Sequence, residues 1–196
     1  MIQGEQGDLF FTAGASSLGG AIRWAEQTRG EEPTEMNHVG VVSKKGYILP
    51  CAQPTWVDPP YLKPAVVIES LWRTIEHPWY PDQKPGNEVS VWRYEPITLL
   101  QQIVVIQRAE RFVGAKYGWW KLLTHFVDNK AFNGRVVTRK LLVADSRPIC
   151  SYTAACSFHV AGIKTGDIPA RTQSPDTMWD FVNASNPWFE VGRGVT

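Results

Sequence analysis

Cysteine is scarce in this chain: three in 196 residues, an odd number with no close pair. That favours neither a disulfide framework nor a four-thiolate metal site, and it fits a reducing compartment. Charge of one sign is missing too. Lys and Arg total 20 against 19 Asp and Glu, a net charge of +1, which argues against nucleic acid as an obligatory partner. No stretch approaches the roughly 18 apolar residues of a membrane span. Met1 to Asp8 has neither a basic segment nor an apolar one, so no secretory signal is read there. The expectation is a protein without a membrane span, cytoplasmic unless it is phage-encoded or delivered by a dedicated machine. The phosphate-binding loop is absent as well, because Gly19-Gly20 sits in a helical pattern without a following Lys-Ser or Lys-Thr. Asp8, Glu69 and Asp145 carry carboxylates, but no pair has a spacing suited to glycosidase or metal work. No cofactor and no metal is implied. Repeats, low-complexity tracts and linkers are also missing, so residues 1–196 read as a single domain.

What is present is a hydrophobic content of 43%, with nine tryptophans and fourteen prolines. These predict long ordered loops wrapped on a β-rich core. Gly7 to Thr12 reads as a short buried strand and Ser16 to Thr28 as a helix. Asn37 to Val42 and Tyr47 to Gln53 read as strands joined at Ser43-Lys44-Lys45-Gly46, which predicts a hairpin. With Val42 opposite Tyr47, His38 faces Cys51 and has Gln53 on its diagonal. Strands follow at Ala65 to Leu71 and Val89 to Tyr94, separated by a Pro/Trp-rich loop from His77 to Pro85. A helix from Pro96 to about Val113 is expected to bury Leu99, Leu100, Ile103, Val104 and Ile106. Tyr117 to Phe126 reads as an aromatic helix, Asp128 to Asp145 as a polar connection with a strand at Val136 to Val143. Ser174-Pro175 opens a short helix, and Trp188 to Val195 closes the chain as a strand.

The stretch from Arg147 to Ile163 organises the chemistry. Pro148 and Ser151 mark a helix start, Ala154-Ala155 propagates it and Gly162 ends it. Cys150 therefore falls in the first turn, where free N–H groups and the helix dipole favour a thiolate. Two readings stand at this point: a reactive nucleophile, or a small apolar side chain packing the start of a buried helix. Cys156 lies on another face of the helix and reads as core. His125 and His159 read as packed or solvent-facing helix residues, and His77 as loop. A thiol hydrolase needs a histidine to move the proton and a polar group to hold the imidazole. His38 on its strand is the histidine offered.

Four segments in this order carry a resemblance: Gly7-Asp8-Leu9-Phe10-Phe11, His38-Val39-Gly40-Val41-Val42, Gly114-Ala115-Lys116-Tyr117-Gly118-Trp119, and Cys150-Ser151 followed by Ala161-Gly162-Ile163. Together they resemble the NlpC-type papain-like cysteine hydrolases in the circularly permuted arrangement, over nearly the whole chain. The resemblance implies an α+β papain-like fold, an antiparallel sheet or partial barrel packed against the nucleophile helix. It implies Cys150 as nucleophile, His38 as general base, and Gln53 or Cys51 to orient the ring. Tyr117 is implied to line the cleft, with Trp119 and Ser151 beside it as substrate-binding residues. The Cys150 N–H becomes a candidate oxyanion donor. Two positions depart from the pattern: Cys51 stands where relatives place a polar residue, and Tyr152-Thr153, expected at the cleft wall, replaces an acidic or apolar pair. The implied activity is cleavage of an amide bond, peptide or peptidoglycan-type, through an acyl-thioester. An alternative substrate is an acylated one, as for lipid acyltransferases related to lecithin:retinol acyltransferase. Trp72, Trp119, Trp120 and the loop at Trp79-Tyr80 would form a groove for it, or else belong to the core. The departure at Cys51 leaves a third reading, a papain-like binding or structural module without turnover. Oligomeric state is left open.

Overall fold

In a computed structural model, which describes residues 2–14, 20, 22–24, 27, 35–48, 63–79, 87–133, 135, 137–138 and 147–195, the β-branched and aromatic runs form strands. These are β1 (Ile2–Gly4), β2 (Leu9–Ala13), β3 (His38–Lys44), β4 (Gly46–Ile48), β5 (Val66–Ser70), β6 (Thr74–Pro78), β7 (Glu88–Tyr94) and β8 (Trp188–Val195). The α-helices with described bounds are α1 (Leu99–Glu110), α2 (Trp119–Ala131), α3 (Cys150–Val160) and α4 (Pro175–Ala184), and residues 20 and 22–24 are helical as well. Six strands make one antiparallel sheet in the order β6-β5-β3-β2-β7-β8, and β1 pairs with β4. The class is mixed α+β. No helix among the described residues is long and apolar enough to cross a membrane.

Alternation along the central strands gives the sheet two buried faces. Leu9, Phe11, Val39 and Val41 pack with Ala154, Ala155 and Phe158 of α3 and with Met178, Trp179 and Val182 of α4. Phe10, Val42, Val67, Val89 and Val91 pack on the other side with Ile2, Ile48 and Trp79. Phe10, Phe11 and Phe158 are fully buried, each contributing about 2–3 kcal/mol of transfer free energy. Gly40 is required where the two layers meet. A Cβ there would run into the Phe10 ring and come within 2.8 Å of the Ile68 carbonyl oxygen.

The hairpin expected between residues 37 and 53 does not form. β3 is a central strand with β2 on one side and β5 on the other, Val42 lying opposite Val67, while Tyr47 pairs with Gln3 of β1. Val39, Val41 and Val42 are all fully buried, and a strand buried on both faces gains more from two neighbours than from one. Ser43 to Gly46 thus carries the chain from one sheet to the other. The expected loop at His77 contains instead the end of β6, an edge strand where Pro78 costs no ladder bond.

The helix read from Pro96 starts at Leu99, under a capping box in which Thr98 and Gln101 bond each other's backbone N–H. It buries Val105, Ile106 and Ala109, whereas Leu99 and Leu100 are 70% exposed. The apolar positions span too wide an arc for one face, and packing selects among them. Ser174 caps α4 and Gly162 closes α3 in the left-handed region at φ 76°, as the sequence predicts. Most of the helix expected at residues 16–28 and of the strand at 136–143 lies outside the described residues.

Candidate functional site

Cys150 is the first residue of α3, whose cap Ile149 supplies no side-chain hydrogen bond. The first intrahelical bond runs from Thr153 N–H to the Ile149 carbonyl, so the N–H groups of the first turn have no partner within the helix. α3 is buried from Cys150 through Phe158, and such a helix must enter the core wherever the sheet leaves room. That brings Cys150 against the start of β3. Burial pushes the Cys150 thiol up, but the charge and hydrogen bond of His38, with the N–H groups of Val39 and Ser151, outweigh it and bring the thiol below its ordinary range.

His38 carries the complementary shift. Burial works against its charge, and the Cys150 sulfur and the Glu69 carboxylate overcome that, holding the imidazolium up to about 10. His38 Nε2 donates to Glu69 Oε2 at 2.5 Å, which leaves Nδ1 for the sulfur. The arrangement favours a thiolate and imidazolium pair backed by a carboxylate.

Sheet register places the carboxylate. Gly40 of β3 lies opposite Glu69 of β5, so His38, two residues before Gly40, shares a face with Glu69 and sits on its diagonal. β6 repeats the relation from the other side: Val67 pairs with His77, and His77 Nε2 reaches Glu69 Oε1 at 2.6 Å. His77 Nδ1 is 2.8 Å from the Pro78 carbonyl. A carbonyl and an ionised carboxylate only accept, so both nitrogens of His77 donate and the ring is an imidazolium. Its pKa is raised, chiefly by the Glu69 hydrogen bond. Burial alone would raise the Glu69 carboxyl, but the two histidines bring it down to about 2. Cys150, His38, Glu69 and His77 form a relay with alternating charge.

Nitrogen-to-oxygen distances of 2.5 and 2.6 Å are hydrogen bonds with no room for an intervening ion. Among the described residues no three His, Cys, Asp or Glu side chains converge as metal ligands.

The chain matches no family model, and no curated protein matches it.

The orienting position falls to Glu69, while Cys51 and Gln53, expected there from the hairpin register, lie outside the described residues. That register fails because β5, not the segment after Gly46, pairs with β3. Ser151 is fully buried and its hydroxyl donates to the Gln173 carbonyl at 2.8 Å, so its contribution at the sulfur is a backbone N–H. Tyr117 is buried with Phe112, Ile149, Tyr152 and Cys156. Trp119, 41% exposed, lies on Tyr117 at 4.8 Å between ring centroids. Tyr152 and Thr153 are not cleft wall: both are buried, Tyr152 against Phe112 and Thr153 against the Ser70 hydroxyl. Trp79 is core, packed edge-on against Phe10.

Cys156 is core, as expected, and its thiol is pushed up by burial. Two cysteines six residues apart on one helix thus shift in opposite directions, because only one meets an imidazolium. His125 is buried in α2 and His159 exposed at the end of α3. A cleft of about 410 Å³ between His159, Ile163, Ile168 and Gln173 lies at that far end and shares no residue with the relay.

Sequence reasoning missed Glu69 and His77. A carboxylate in the buried run Val66–Ser70 is the one signal that pointed to the first, since a buried acid requires a partner. His77 carried no such signal.

Proposed function

We propose that this chain is a cysteine hydrolase of the permuted NlpC-type papain-like class, cleaving an amide bond of a peptide or peptidoglycan-type substrate. One observation carries the reading: Cys150 opens a buried helix and its thiol is brought below its ordinary range chiefly by His38, whose Nε2 is held by Glu69 at 2.5 Å. The Cys150 thiolate attacks the carbonyl carbon and forms the C–S bond. The oxyanion that results is placed to accept from the Cys150 N–H, one of the first-turn donors without an intrahelical partner. His38 passes its proton to the departing amine as the C–N bond breaks, leaving a thioester. It then takes a proton from water, which attacks the thioester and releases the acid, returning the thiolate and imidazolium. Glu69 fixes the tautomer throughout. The antiparallel sheet with the nucleophile helix packed on it supports a papain-like fold for the same reason.

A carboxylate on His38 supports turnover over the reading of an inactive scaffold, which rested on the poor acceptor at Cys51. An acylated substrate is the second reading, favoured by the exposed rings of Trp72 and Trp120 beside the site.

The test is the pH dependence of iodoacetamide labelling at Cys150, read by mass spectrometry in the parent chain and in His38→Ala. The parent is expected to label fast near neutrality, with an inflection well under the ~8.5 of a free thiol. Without His38 only burial and the weaker N–H groups act, and labelling should move to alkaline pH. An unperturbed thiol in both proteins would sink the catalytic reading.

A further inference from the structure

Two segments expose large apolar side chains side by side. Leu71 and Trp72 form the tip between β5 and β6, and Trp119, Trp120 and Leu123 lie in the first turns of α2. Trp72 is 75% exposed, Trp120 59%, and the other three between 41% and 46%. The rings of Trp72 and Trp119 sit 5.0 Å apart, and Tyr117 N–H donates to the Trp72 carbonyl at 3.2 Å. The two segments therefore make one surface. It borders the relay, because Gly118 N–H donates to the Pro148 carbonyl at 2.8 Å, two residues before Cys150. Apolar patches of this kind mark sites of association.

The charges say with what. Residues 71–75 and 116–124 contain Arg73, Lys116 and Lys121 and no acidic residue. Lys121 turns inward to the Arg147 carbonyl, whereas Arg73 and Lys116 are exposed. Arg73 and Lys116 are also direct partners in an antiparallel bridge. Two like charges facing each other across such a pair repel, and among the described residues neither has an ion-pair partner. This exposed cationic pair is open to an anionic partner. Indole rings next to unneutralised cations fit the headgroup layer of a bilayer, where tryptophan seats at the interface and Lys or Arg meets lipid phosphate.

We propose that this face docks the protein on an anionic lipid surface, with Arg73 and Lys116 on headgroup phosphates and Trp72 and Trp120 in the interfacial layer. Docking there brings the segment that leads into Cys150 next to the membrane. The inference rests on the surface alone and stands whether or not Cys150 turns over.

The test is flotation of the full chain with vesicles of phosphatidylcholine, and of phosphatidylcholine mixed with an equal part of phosphatidylglycerol. Binding is expected to the anionic vesicles only, and to weaken with added salt. Each surface cation is worth roughly fivefold in affinity, so Arg73→Glu with Lys116→Glu should weaken binding by about 25-fold or more. Trp72→Ser with Trp120→Ser should weaken it about tenfold or more, with circular dichroism unchanged in both. The proposal is overturned by failure to float, by equal binding to neutral vesicles, or by binding that ignores both pairs of substitutions. A dimer in sedimentation that Trp72→Ser with Trp120→Ser dissolves would overturn it too, making this face a protein interface.

Discussion

Glu69 accepts an imidazole on each of its oxygens, at 2.5 and 2.6 Å, and this division sets what each histidine does. His38 faces the sulfur and, in the proposed mechanism, exchanges the proton. His77, partly exposed, neutralises the carboxylate from the far side and holds its plane. A carboxylate depressed from 4.5 to about 2 is stabilised in the folded chain relative to the unfolded one. Its contribution is complete above its unfolded pKa and is lost as pH falls through the folded value. The size is about 3 kcal/mol, lost between about pH 5 and pH 2. Urea denaturation across that range should show the loss in the parent chain. Glu69→Gln has no proton to take up at this position and should lose correspondingly less. Equal acid sensitivity in the two proteins would mean that Glu69 is not ionised in the native state.

At the scale of elements, α3 is the part on which the others converge, and its attachment to the sheet is polar as well as apolar. Ser70 Oγ lies 2.8 Å from Thr153 Oγ1 and 2.7 Å from Thr74 Oγ1, all three residues buried. This junction ties β5, which carries Glu69, to the helix that carries Cys150. Ser70→Ala strands two buried hydroxyls and should cost about 1–3 kcal/mol. Ser70→Ala combined with Thr153→Val should cost less than the sum of the two single changes, measured as urea midpoints. Strict additivity would mean that the hydroxyls do not interact. The site was partly legible at this scale. Pro148, the Ala pair and Gly162 carry the signals of a helix start and stop, and they put Cys150 in the first turn. The buried face of α1 was not legible, since its apolar residues cover more than one face and contact with the core chose Val105, Ile106 and Ala109.

Over the whole molecule, the N-terminal turn is locked to the sheet by an ion pair between buried Asp8 and partly exposed Arg93. Arg93 of β7 donates Nε and Nη2 to the two oxygens of Asp8, each at 2.9 Å, and Glu5 N–H donates to the same carboxylate at 2.8 Å. Asp8 is 1% exposed, so Arg93→Ala leaves a carboxylate without its cation and should cost about 3–5 kcal/mol. Asp8→Asn added to Arg93→Ala should recover part of that loss in a thermal or urea melt. A double variant no more stable than Arg93→Ala would show that the uncompensated charge is not what destabilises the chain. The motif Gly7-Asp8-Leu9-Phe10-Phe11 thereby has a structural meaning: a turn, a buried charge and a strand with one phenylalanine for each face of the sheet.

Local signals by themselves determined where Cys150 and His38 stand, on a helix start and a strand, along with the strands at β2, β5, β7 and β8 and the cap of α4. Turn, cap and alternation act over a few residues, and their energies are written in neighbouring side chains. Which strand lies beside β3 was decided only by the tertiary structure. His38 and Glu69 are 31 residues apart, and no periodicity links them. The nearer segment looked like the partner of β3, but sheet order depends on the total apolar area that the strands and helices bury together, and that sum placed β5 there. With β5 came Glu69, and with β6 came His77.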